Sequence, residues 1–428
     1  MIENAFGMTP KFYFSAPSCV PATPFETSGS QLTLDDMETL LKMPEIKLLG
    51  EMMNFPGVIF DDPEVLKKLE MAKRYHKPID GHSPGLRGDD LKKYISAGIT
   101  TDHECFTQVE ALEKLSLGMK ILIREGSAAK NFDDLIPIND LVRRALATGL
   151  DRIKVFQMAC INPVTHYGLD VGCLQPGDAA DFLVIDDFDR IHIHQTVING
   201  EIVAENDRSL LPPKPVTISN RFAATPKQPR DFFVPDQNRP VNIIHVIDGQ
   251  LITKRLQDTL KPLDGRLTAD ITKDILKIAV VNRYEDLKPA VGFVRNFGLK
   301  YGAIAGSIAH DSHNIIAVGT TDEEICTAVN LIIENKGGIC AICDKHHIRE
   351  ILPLPIAGLM SDEDFKTVAD QYTRIDTLSK EMGATLHAPF MTLSFMALLV
   401  IPEIKLSDKG LFDGARFEFI DLFAETVD

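Results

Sequence analysis

The feature that most constrains the fold is a repeat near the start of the chain. Five short apolar runs each end in polar residues, and segments with helical spacing of Leu, Met and Ile lie between them. Strand and helix in alternation are typical of a parallel α/β architecture, because parallel strands need a long crossover connection. Thr33, followed by Asp35 and Asp36, is a predicted helix start. The predicted strands lie at 11–15, 46–51, 78–82, 97–103 and 119–125.

Side chains that can bind a metal stand at the carboxyl ends of four of these strands. They are Glu51, His82, His103 and Glu125, at intervals of 31, 21 and 22 residues, about one βα unit each. The carboxyl ends of the strands form the catalytic face of a βα barrel. Imidazole and carboxylate groups suit Zn, Mn or Fe. The pattern therefore predicts a divalent metal site, and the alternative for any one residue is an ordinary hydrogen-bonded side chain at the surface.

The repeat predicts a (β/α)8 barrel of the α/β class that is incomplete in this sequence. Such a barrel needs eight strands and about 250 residues, whereas five strands are visible before residue 150. No segment between the fifth strand and the helical run at 141–146 has the pattern of an eighth strand. The partial barrel domain is predicted to cover residues 1–168.

Charge and composition exclude several classes of protein. The chain has 45 basic and 61 acidic residues, and its net charge of −16 makes a nucleic-acid polymer an unfavourable partner. No apolar run reaches the roughly 18 residues of a membrane span. The first residues lack the basic start and apolar core of a secretory signal. Seven scattered Cys residues fit a reducing compartment, and we expect a cytoplasmic protein.

Three further segments are predicted after the barrel. Residues 169–210 form a small β-domain, in which Asn199 and Gly200 stand between alternating apolar residues and predict a hairpin turn. Residues 211–240 form a Pro-rich connector, and residues 241–428 form a second α/β domain. The strands and helices predicted in that domain lie at 275–281, 301–309, 314–319, 322–335 and 362–381.

Two polar motifs in the last domain have more than one interpretation. His310, Asp311 and His313 lie between two predicted strands, where they could reach the barrel mouth or hold a metal, or form a polar hairpin turn. Cys340 and Cys343 form a C-x-x-C motif with two histidines behind it, but no distant second pair completes a zinc site. The run around them is apolar, which favours buried strand cysteines. The H-x-E and P-C-x-x-C signature of nucleic-acid-editing deaminases is absent.

Six longer motifs lie between residues 16 and 314, and the likeness that they carry covers nearly all 428 residues. They are APSCVPATP at 16–24, GEMMNFPGV at 50–58, DGHSPGL at 80–86, DHEC at 102–105, IREGSAA at 123–129 and AHDSHN at 309–314. Together they resemble the adenine deaminase family of the metal-dependent amidohydrolase superfamily, although no single motif is specific. The resemblance implies an amidohydrolase barrel, and hydrolytic deamination of adenine to hypoxanthine and ammonia by a metal-activated water, in purine salvage.

The resemblance also implies a metal centre and its ligands. Glu51 corresponds to a carboxylate that bridges two metals, and His82 and His103 correspond to the histidines after the fifth and sixth barrel strands. The implied cofactor is a divalent metal, Mn or Fe with Zn as a further option, in a binuclear site in the complete enzyme.

Roles toward the substrate follow from the same resemblance. Glu125, or Glu104, would carry a proton near the purine, and Arg124 and Ser127 would orient it. We expect adenine as the partner molecule and a homo-oligomer, a dimer, as the assembly. The full set of predicted substrate-binding residues is Arg124, Ser127, His310, Asp311 and His313.

The sequence departs from the family pattern at two places. The paired histidines, His-x-His, that follow the first barrel strand in the family have no counterpart in the sequence, and neither has the Asp after the eighth strand. Asp133 and Asp134 lie too close to the preceding strand to replace that Asp. Two other functions therefore stay open, namely an amidohydrolase acting on another purine or a cyclic amide, and a catalytically impaired scaffold.

Overall fold

The computed structural model describes residues 2–105, 107–123, 138–212 and 214–424, which separate into two compact units. The first unit contains the described residues within Met1–Ser18, Leu32–Gly126 and Asn131–Val216. The second contains those within Cys19–Gln31 and Thr217–Asp428. Within the described residues, no helix combines the length and the apolar character needed to cross a lipid bilayer.

Among the described residues of the first unit, five short parallel strands form the framework, and each lies within or overlaps a predicted strand. β1, β2 and β3 pair in chain order as one parallel sheet, and β4 and β5 pair as a second. A hydrogen bond from the Thr100 amide to the Ile79 carbonyl, 3.0 Å long, joins the two sheets. The strands are β1 (Phe14–Ala16), β2 (Ile46–Met52), β3 (Ile79–Gly81), β4 (Thr101–Asp102) and β5 (Lys120–Ile121).

The mixed α/β class is confirmed, and the strands of the described part do not close into a barrel. This agrees with the incompleteness expected from the sequence, because five strands are too few for the eight of a closed (β/α)8 barrel. The structure therefore presents a parallel α/β layer whose strand ends, rather than a barrel mouth, carry the candidate metal ligands.

Helices follow these strands and cover them. The predicted start of α2 is confirmed, since Thr33 and Asp36 form a reciprocal capping box at its first turn. Met37 and Leu41 of α2 and Leu69 of α4 are buried with the strand residues Leu49 and Ile79 in one core. The helices of the unit are α1 (Ile2–Ala5), α2 (Leu34–Lys42), α3 (Phe55–Ile59), α4 (Pro63–Arg74), α5 (Gly88–Ser96), α6 (Gln108–Ser116), α7 (Ile138–Ala147), α8 (Arg152–Phe156) and α9 (Asn162–Tyr167).

A four-stranded antiparallel sheet completes the first unit. Its strands pair in chain order, and Asn199 and Gly200 form the turn between the second and third. Both residues have positive φ, 51° and 83°, as a two-residue hairpin turn requires. The predicted hairpin is therefore confirmed. The strands are β6 (Phe182–Ile185), β7 (Ile193–Ile198), β8 (Glu201–Glu205) and β9 (Arg208–Ser209).

An eight-stranded sheet dominates the second unit. Its spatial order is β12-β11-β16-β15-β18-β17-β19-β20, with β11 and β16 parallel and the other neighbours antiparallel. These eight strands are β11 (Val241–Val246), β12 (Thr253–Asp258), β15 (Ile275–Val281), β16 (Ala290–Arg295), β17 (Ala303–Gly306), β18 (Ile315–Gly319), β19 (Gly338–Cys343) and β20 (Ile348–Pro353). Two small three-stranded sheets contain β10 (Val234–Pro235), β13 (Pro262–Leu263), β14 (Arg266–Leu267), β21 (Ile404–Ser407), β22 (Gly410–Asp413) and β23 (Glu418–Phe419).

Helices cover both faces of this sheet. On β15, Leu276 and Ile278 belong to one apolar core and Ala279 belongs to the other, because successive side chains of a strand point to opposite faces. The second core contains residues of α10, and the first contains residues of α11 and α12. The helices are α10 (Asp322–Glu334), α11 (Phe365–Glu381) and α12 (Pro389–Phe395).

The C-x-x-C motif lies inside β19. Cys340 and Cys343 are both fully buried, and burial raises the pKa of the Cys340 thiol to about 12. A thiol that stays protonated is a poor metal ligand, since the thiolate is the binding form. The interpretation as buried strand cysteines is therefore confirmed.

Candidate metal and substrate site

Three potential metal ligands meet at the carboxyl ends of neighbouring parallel strands. Glu51 is the last residue but one of β2, and His82 and His103 follow directly after β3 and β4. Parallel strands present their carboxyl ends at the same edge, so side chains from positions far apart in sequence converge there.

The carboxylate of Glu51 lies between the two imidazole rings. Its Oε2 is 3.0 Å from Nδ1 of His82 and 2.8 Å from Nε2 of His103. The ring centroids are 5.5 Å apart and nearly perpendicular, at 75°. One ligand atom from each of the three residues lies within 4.8 Å of the others, so the group is compact enough to hold one ion.

The surroundings favour the charged form of Glu51. Partial burial opposes the charge, but hydrogen bonds from His103 and His82 and the charges of these rings outweigh it. The pKa of the Glu51 carboxyl is therefore held well below its ordinary value. An ionised carboxylate beside two imidazoles is the form in which this residue would bind a cation.

The donor set and one unpaired atom fit a divalent metal. Nε2 of His82 is buried and has no hydrogen-bond partner among the described residues, which leaves a lone pair or a proton unsatisfied. Buried polar atoms normally have a partner, and an exception calls for an explanation such as an ion. Two imidazoles and a carboxylate suit Zn, Mn or Fe. The residues that would hold the metal are Glu51, His82 and His103.

Glu104 completes the polar group at this edge. Its carboxyl is buried, at 8% exposure, and Oε1 lies 3.5 Å from Nε2 of His103 and 3.8 Å from Nδ1 of His82. The structure thus places a second carboxyl beside the predicted ligands.

A second group of acidic and thiol side chains lies behind this edge and already contains a cation. Asp102, Cys105 and Glu110 have ligand atoms close together. The ammonium of Lys114 bonds to Oδ2 of Asp102 at 2.8 Å and to Oε1 of Glu110 at 2.7 Å. The group is therefore an internal ion-pair network.

Curated relatives match almost the whole chain. An adenine deaminase from Sulfurovum sp. is 54% identical over 448 aligned positions, which cover 98% of this chain and 82% of that protein. An adenine deaminase from Salinibacter ruber is 50% identical, with 97% of this chain and 80% of that protein covered. The chain belongs to the adenine deaminase family. The resemblance read from the six motifs is confirmed.

Two family models match different parts of the chain. The model described as the adenine deaminase C-terminal domain matches residues 250–418, and the amidohydrolase family model matches residues 1–126 and 126–203. A deacetylase of N-acetyl-D-glucosamine-6-phosphate from Mycobacterium smegmatis aligns with 38% of this chain and 55% of its own, at 15% identity. The TM-score of this superposition is 0.28.

The adenine deaminase relatives contain positions that this chain lacks. The Sulfurovum alignment has 448 positions against 428 residues in the chain, so at least 20 positions have no residue here. The two pieces of the amidohydrolase match meet at Gly126. This is the part of the chain where the sequence shows no eighth strand.

The structure describes only some of the predicted site residues. Arg124, Glu125 and Ser127 lie outside the described residues. Glu51, His82, His103 and Glu104 come together in the first unit, whereas His310, Asp311 and His313 come together in the second. Their roles in the adenine deaminase reaction stay predictions.

The histidine motif of the second unit forms a tight polar loop between β17 and β18. Nδ1 of His310 is 2.5 Å from Oδ1 of Asp311, and the His310 ring stacks on Phe395 with centroids 4.7 Å apart. His313 has a φ of 56°, and burial lowers its pKa to about 4. Glu26, from the segment 19–31 of the same unit, is buried. Burial raises the pKa of its carboxyl, and the negative charge of Asp311 raises it further.

Two buried residues beside the candidate metal ligands were not singled out from the sequence. Tyr94 of α5 and Lys114 of α6 are completely buried and bond to the segments that carry the ligands. The sequence does not indicate that Lys114 is buried. Glu110 and Lys114 are four residues apart, a spacing that is typical of an ion pair on the exposed face of a helix. Tyr94 lies on the apolar face of its helix and reads as ordinary core.

Proposed function

We propose that this chain catalyses the hydrolytic deamination of adenine to hypoxanthine and ammonia. The observation that carries the proposal is the identity of 54% to a curated adenine deaminase over 98% of the chain. The amidohydrolase family model matches residues 1–126 and 126–203, a range that includes the candidate metal ligands. A homodimer in the cytoplasm is proposed as the working form.

The proposed cofactor is a divalent metal, Mn or Fe with Zn as a further option, in a binuclear site when the family's ligands are complete. Glu51, His82 and His103 would hold it, since their ligand atoms converge and Nε2 of His82 has no other partner among the described residues. When bound, such a metal supplies the Lewis acidity that brings the pKa of water close to 7.

The residues of the chain would manage the proton and the purine. In the overall reaction one water adds at C6, the bond from C6 to the amino nitrogen breaks, and that nitrogen leaves as ammonia. A buried carboxyl can accept a proton from the water and return it to a ring nitrogen or to the departing amine. Glu104 is one candidate for this proton transfer, because its Oε1 lies 3.5 Å from Nε2 of His103. Glu125 is the other candidate.

Orientation of adenine is proposed for five further side chains. A purine offers ring nitrogens as acceptors and the amino group as a donor, so guanidinium, hydroxyl, imidazole and carboxylate groups can all contact it. These residues are Arg124, Ser127, His310, Asp311 and His313.

The test is a deaminase assay on the purified, metal-loaded chain. Protein stripped of metal is incubated with Mn²⁺, Fe²⁺ or Zn²⁺ and adenine, and ammonia release is measured in parallel with the loss of adenine absorbance. We expect ammonia from adenine with at least one metal, and no ammonia from the His103→Asn variant. The Tyr75→Phe variant, which alters a hydroxyl bound to Glu38 on the helices, should match the original protein.

A substrate panel separates the alternatives. Guanine, adenosine, cytosine and a cyclic amide are tested under the same conditions. Turnover of one of these in place of adenine would support an amidohydrolase of different specificity. Absence of turnover with every substrate and metal would overturn the proposal and favour a scaffold.

A further inference from the structure

Two buried side chains connect the three strand ends that carry the candidate metal ligands. We propose that Tyr94 and Lys114 are positioning residues, which hold Glu51, His82 and His103 at the separation that a metal requires. The inference rests on the proposed metal site and adds the residues that build it. Neither side chain supplies a ligand atom to the group, so each acts through the backbone and the side chains that it binds.

Tyr94 joins the end of β2 to the end of β3. Its side chain is fully buried, and its hydroxyl oxygen accepts a hydrogen bond of 3.0 Å from the backbone amide of His82. The same hydroxyl donates to the carbonyl of Met52, at 2.8 Å. Met52 follows Glu51 directly, so one hydroxyl fixes the spacing between the segments that carry two of the ligands.

Lys114 joins the end of β3 to the end of β4. Its ammonium donates to the carbonyl of Ser83 at 2.7 Å and to Oδ2 of Asp102 at 2.8 Å. Ser83 follows His82, and Asp102 precedes His103. The amide of Ser83 also donates to Oδ1 of Asp102, at 2.9 Å, so the two segments are tied by a closed set of hydrogen bonds.

A role in folding stability alone is a poor explanation for this arrangement. Burying an ammonium and its carboxylate partners costs a desolvation free energy that the attraction between them does not reliably recover, and apolar residues of equal volume are often at least as stabilising. The third donor of Lys114 goes to Glu110, at 2.7 Å, so every donor of the ammonium is used. Directional bonds of this kind set distances between segments, which apolar contacts do not.

Metal affinity is the property that this arrangement should control. Side chains outside the ligand set that orient the ligands change metal affinity by about 10- to 100-fold when they are replaced. Two variants test this. Tyr94→Phe removes only the hydroxyl, and Lys114→Met replaces the lysine with an unbranched side chain of similar length that has no charge. For both we expect binding of Zn²⁺ and Mn²⁺, measured by competition with a chromophoric chelator, to weaken by about 10- to 100-fold.

Two matched controls separate positioning from general loss of stability. Lys277→Met removes a buried lysine of the second unit that bonds to Asp322 at 2.5 Å and to the Phe232 carbonyl at 3.2 Å. Tyr75→Phe removes a hydroxyl of the first unit that lies away from the strand ends. Thermal unfolding of the metal-free proteins is recorded for every variant. We expect both controls to keep the original metal affinity, even where Lys277→Met unfolds at a lower temperature.

The His103→Asn variant tests the proposed metal site separately from the positioning role of Tyr94 and Lys114. If His103→Asn binds metal as tightly as the original chain, the proposed metal site is wrong and the positioning role falls with it. If His103→Asn loses metal while Tyr94→Phe and Lys114→Met keep the original affinity, the metal site stands and the positioning role is overturned. Should Lys114→Met fail to fold, Tyr94→Phe decides, because loss of one hydroxyl leaves the packing of its ring intact.

Discussion

Oε2 of Glu51, in β2, lies 3.0 Å from Nδ1 of His82, which follows β3 and is 31 positions away in sequence. The same oxygen lies 2.8 Å from Nε2 of His103. One carboxylate oxygen of Glu51 therefore lies close to both imidazole rings, and we expect the loss of its negative charge to affect this group strongly.

Glu51→Gln should abolish metal binding while leaving the fold in place. The amide has the shape of the carboxylate but no charge, and removal of a direct ligand should cost more than the 10- to 100-fold typical of an outer residue. We expect Zn²⁺ affinity in the chelator competition to fall by more than about 100-fold, and ammonia release from adenine to stop. Glu64→Gln, on the exposed side of α4, is the control. Retention of tight binding by Glu51→Gln would exclude this group as the metal site.

Gly81 is required by the close approach of β3 and β4 beside His82. A Cβ atom at this position would lie 2.2 Å from the carbonyl oxygen of Thr101 and 2.8 Å from Cγ2 of Ile99. Because a backbone atom cannot move aside as a side-chain end can, Gly81→Ala should push the strands apart. We expect a loss of about 1–3 kcal/mol in the free energy of unfolding, measured with denaturant, together with weaker metal binding.

The control for this substitution is Gly292→Ala in β16. There a Cβ would have its nearest neighbour, Cγ2 of Ile278, at 3.6 Å, an ordinary contact distance. This variant should keep metal affinity unchanged. Equal metal affinity of Gly81→Ala and the original protein would show that the spacing of these strands does not matter to the site.

The sequence predicted those parts of the site that depend on local patterns. The ends of apolar runs located Glu51, His82 and His103, because a buried strand stops where polar residues begin. The capping pattern at Thr33 and the turn at Asn199 and Gly200 were equally local, since each depends on neighbouring residues and preferred backbone angles.

Burial of charged side chains could not be predicted in the same way. On α6, Glu110 and Lys114 are buried, whereas Val109 and Leu112 are each 58% exposed, the reverse of the usual amphipathic pattern. The reason is Asp102, a partner from β4 that only the tertiary structure brings to Lys114.

Pairings over long sequence separations were also invisible to local patterns. Thr27 accepts a hydrogen bond from Nδ2 of Asn314, 287 residues away, and its amide donates to Oδ1 of Asp408. These bonds connect the segment 19–31 to the rest of the second unit. In this unit the negative charge of Asp311 acts on the carboxyl of Glu26. No local pattern in residues 19–31 identifies such partners. Thr, Asn and Asp are also common in exposed loops that have no distant partner, so their presence in the sequence does not predict these bonds.

The thiols of β19 should be unreactive in the folded protein. Cys340 and Cys343 are fully buried, and the Cys340 thiol, whose pKa burial raises to about 12, holds almost no thiolate at neutral pH. With an aromatic disulfide reagent, we expect the exposed Cys160 to react in the native protein and the β19 pair to react only after denaturation. Mass spectrometry of the modified peptides identifies each site. Rapid labelling of Cys340 in the native state would revive the interpretation of C-x-x-C as a metal motif.

Glu26 should make the stability of the protein depend on pH in an unusual direction. Burial raises the pKa of its carboxyl to about 8, the amide of Thr23 opposes this, and the charges of Asp311 and Asp408 add to it. The folded state therefore holds a proton that the unfolded chain, with a pKa of about 4.3, has released. Stability from this group is complete below about pH 4 and is lost as the pH rises toward 8.

Glu26→Gln has no such proton to lose. Its stability relative to the original protein should therefore increase as the pH rises. Relative to the original protein, we expect its free energy of unfolding to gain about 3 kcal/mol between about pH 5.5 and about pH 8, measured with denaturant. Its amide oxygen can still accept the hydrogen bond from Thr23, which is 3.0 Å long. Glu285→Gln, an exposed side chain of the same unit, should show no relative change. Parallel pH profiles for Glu26→Gln and the original protein would mean that Glu26 is ionised in the folded state, because only an ionised carboxyl binds no extra proton over this range.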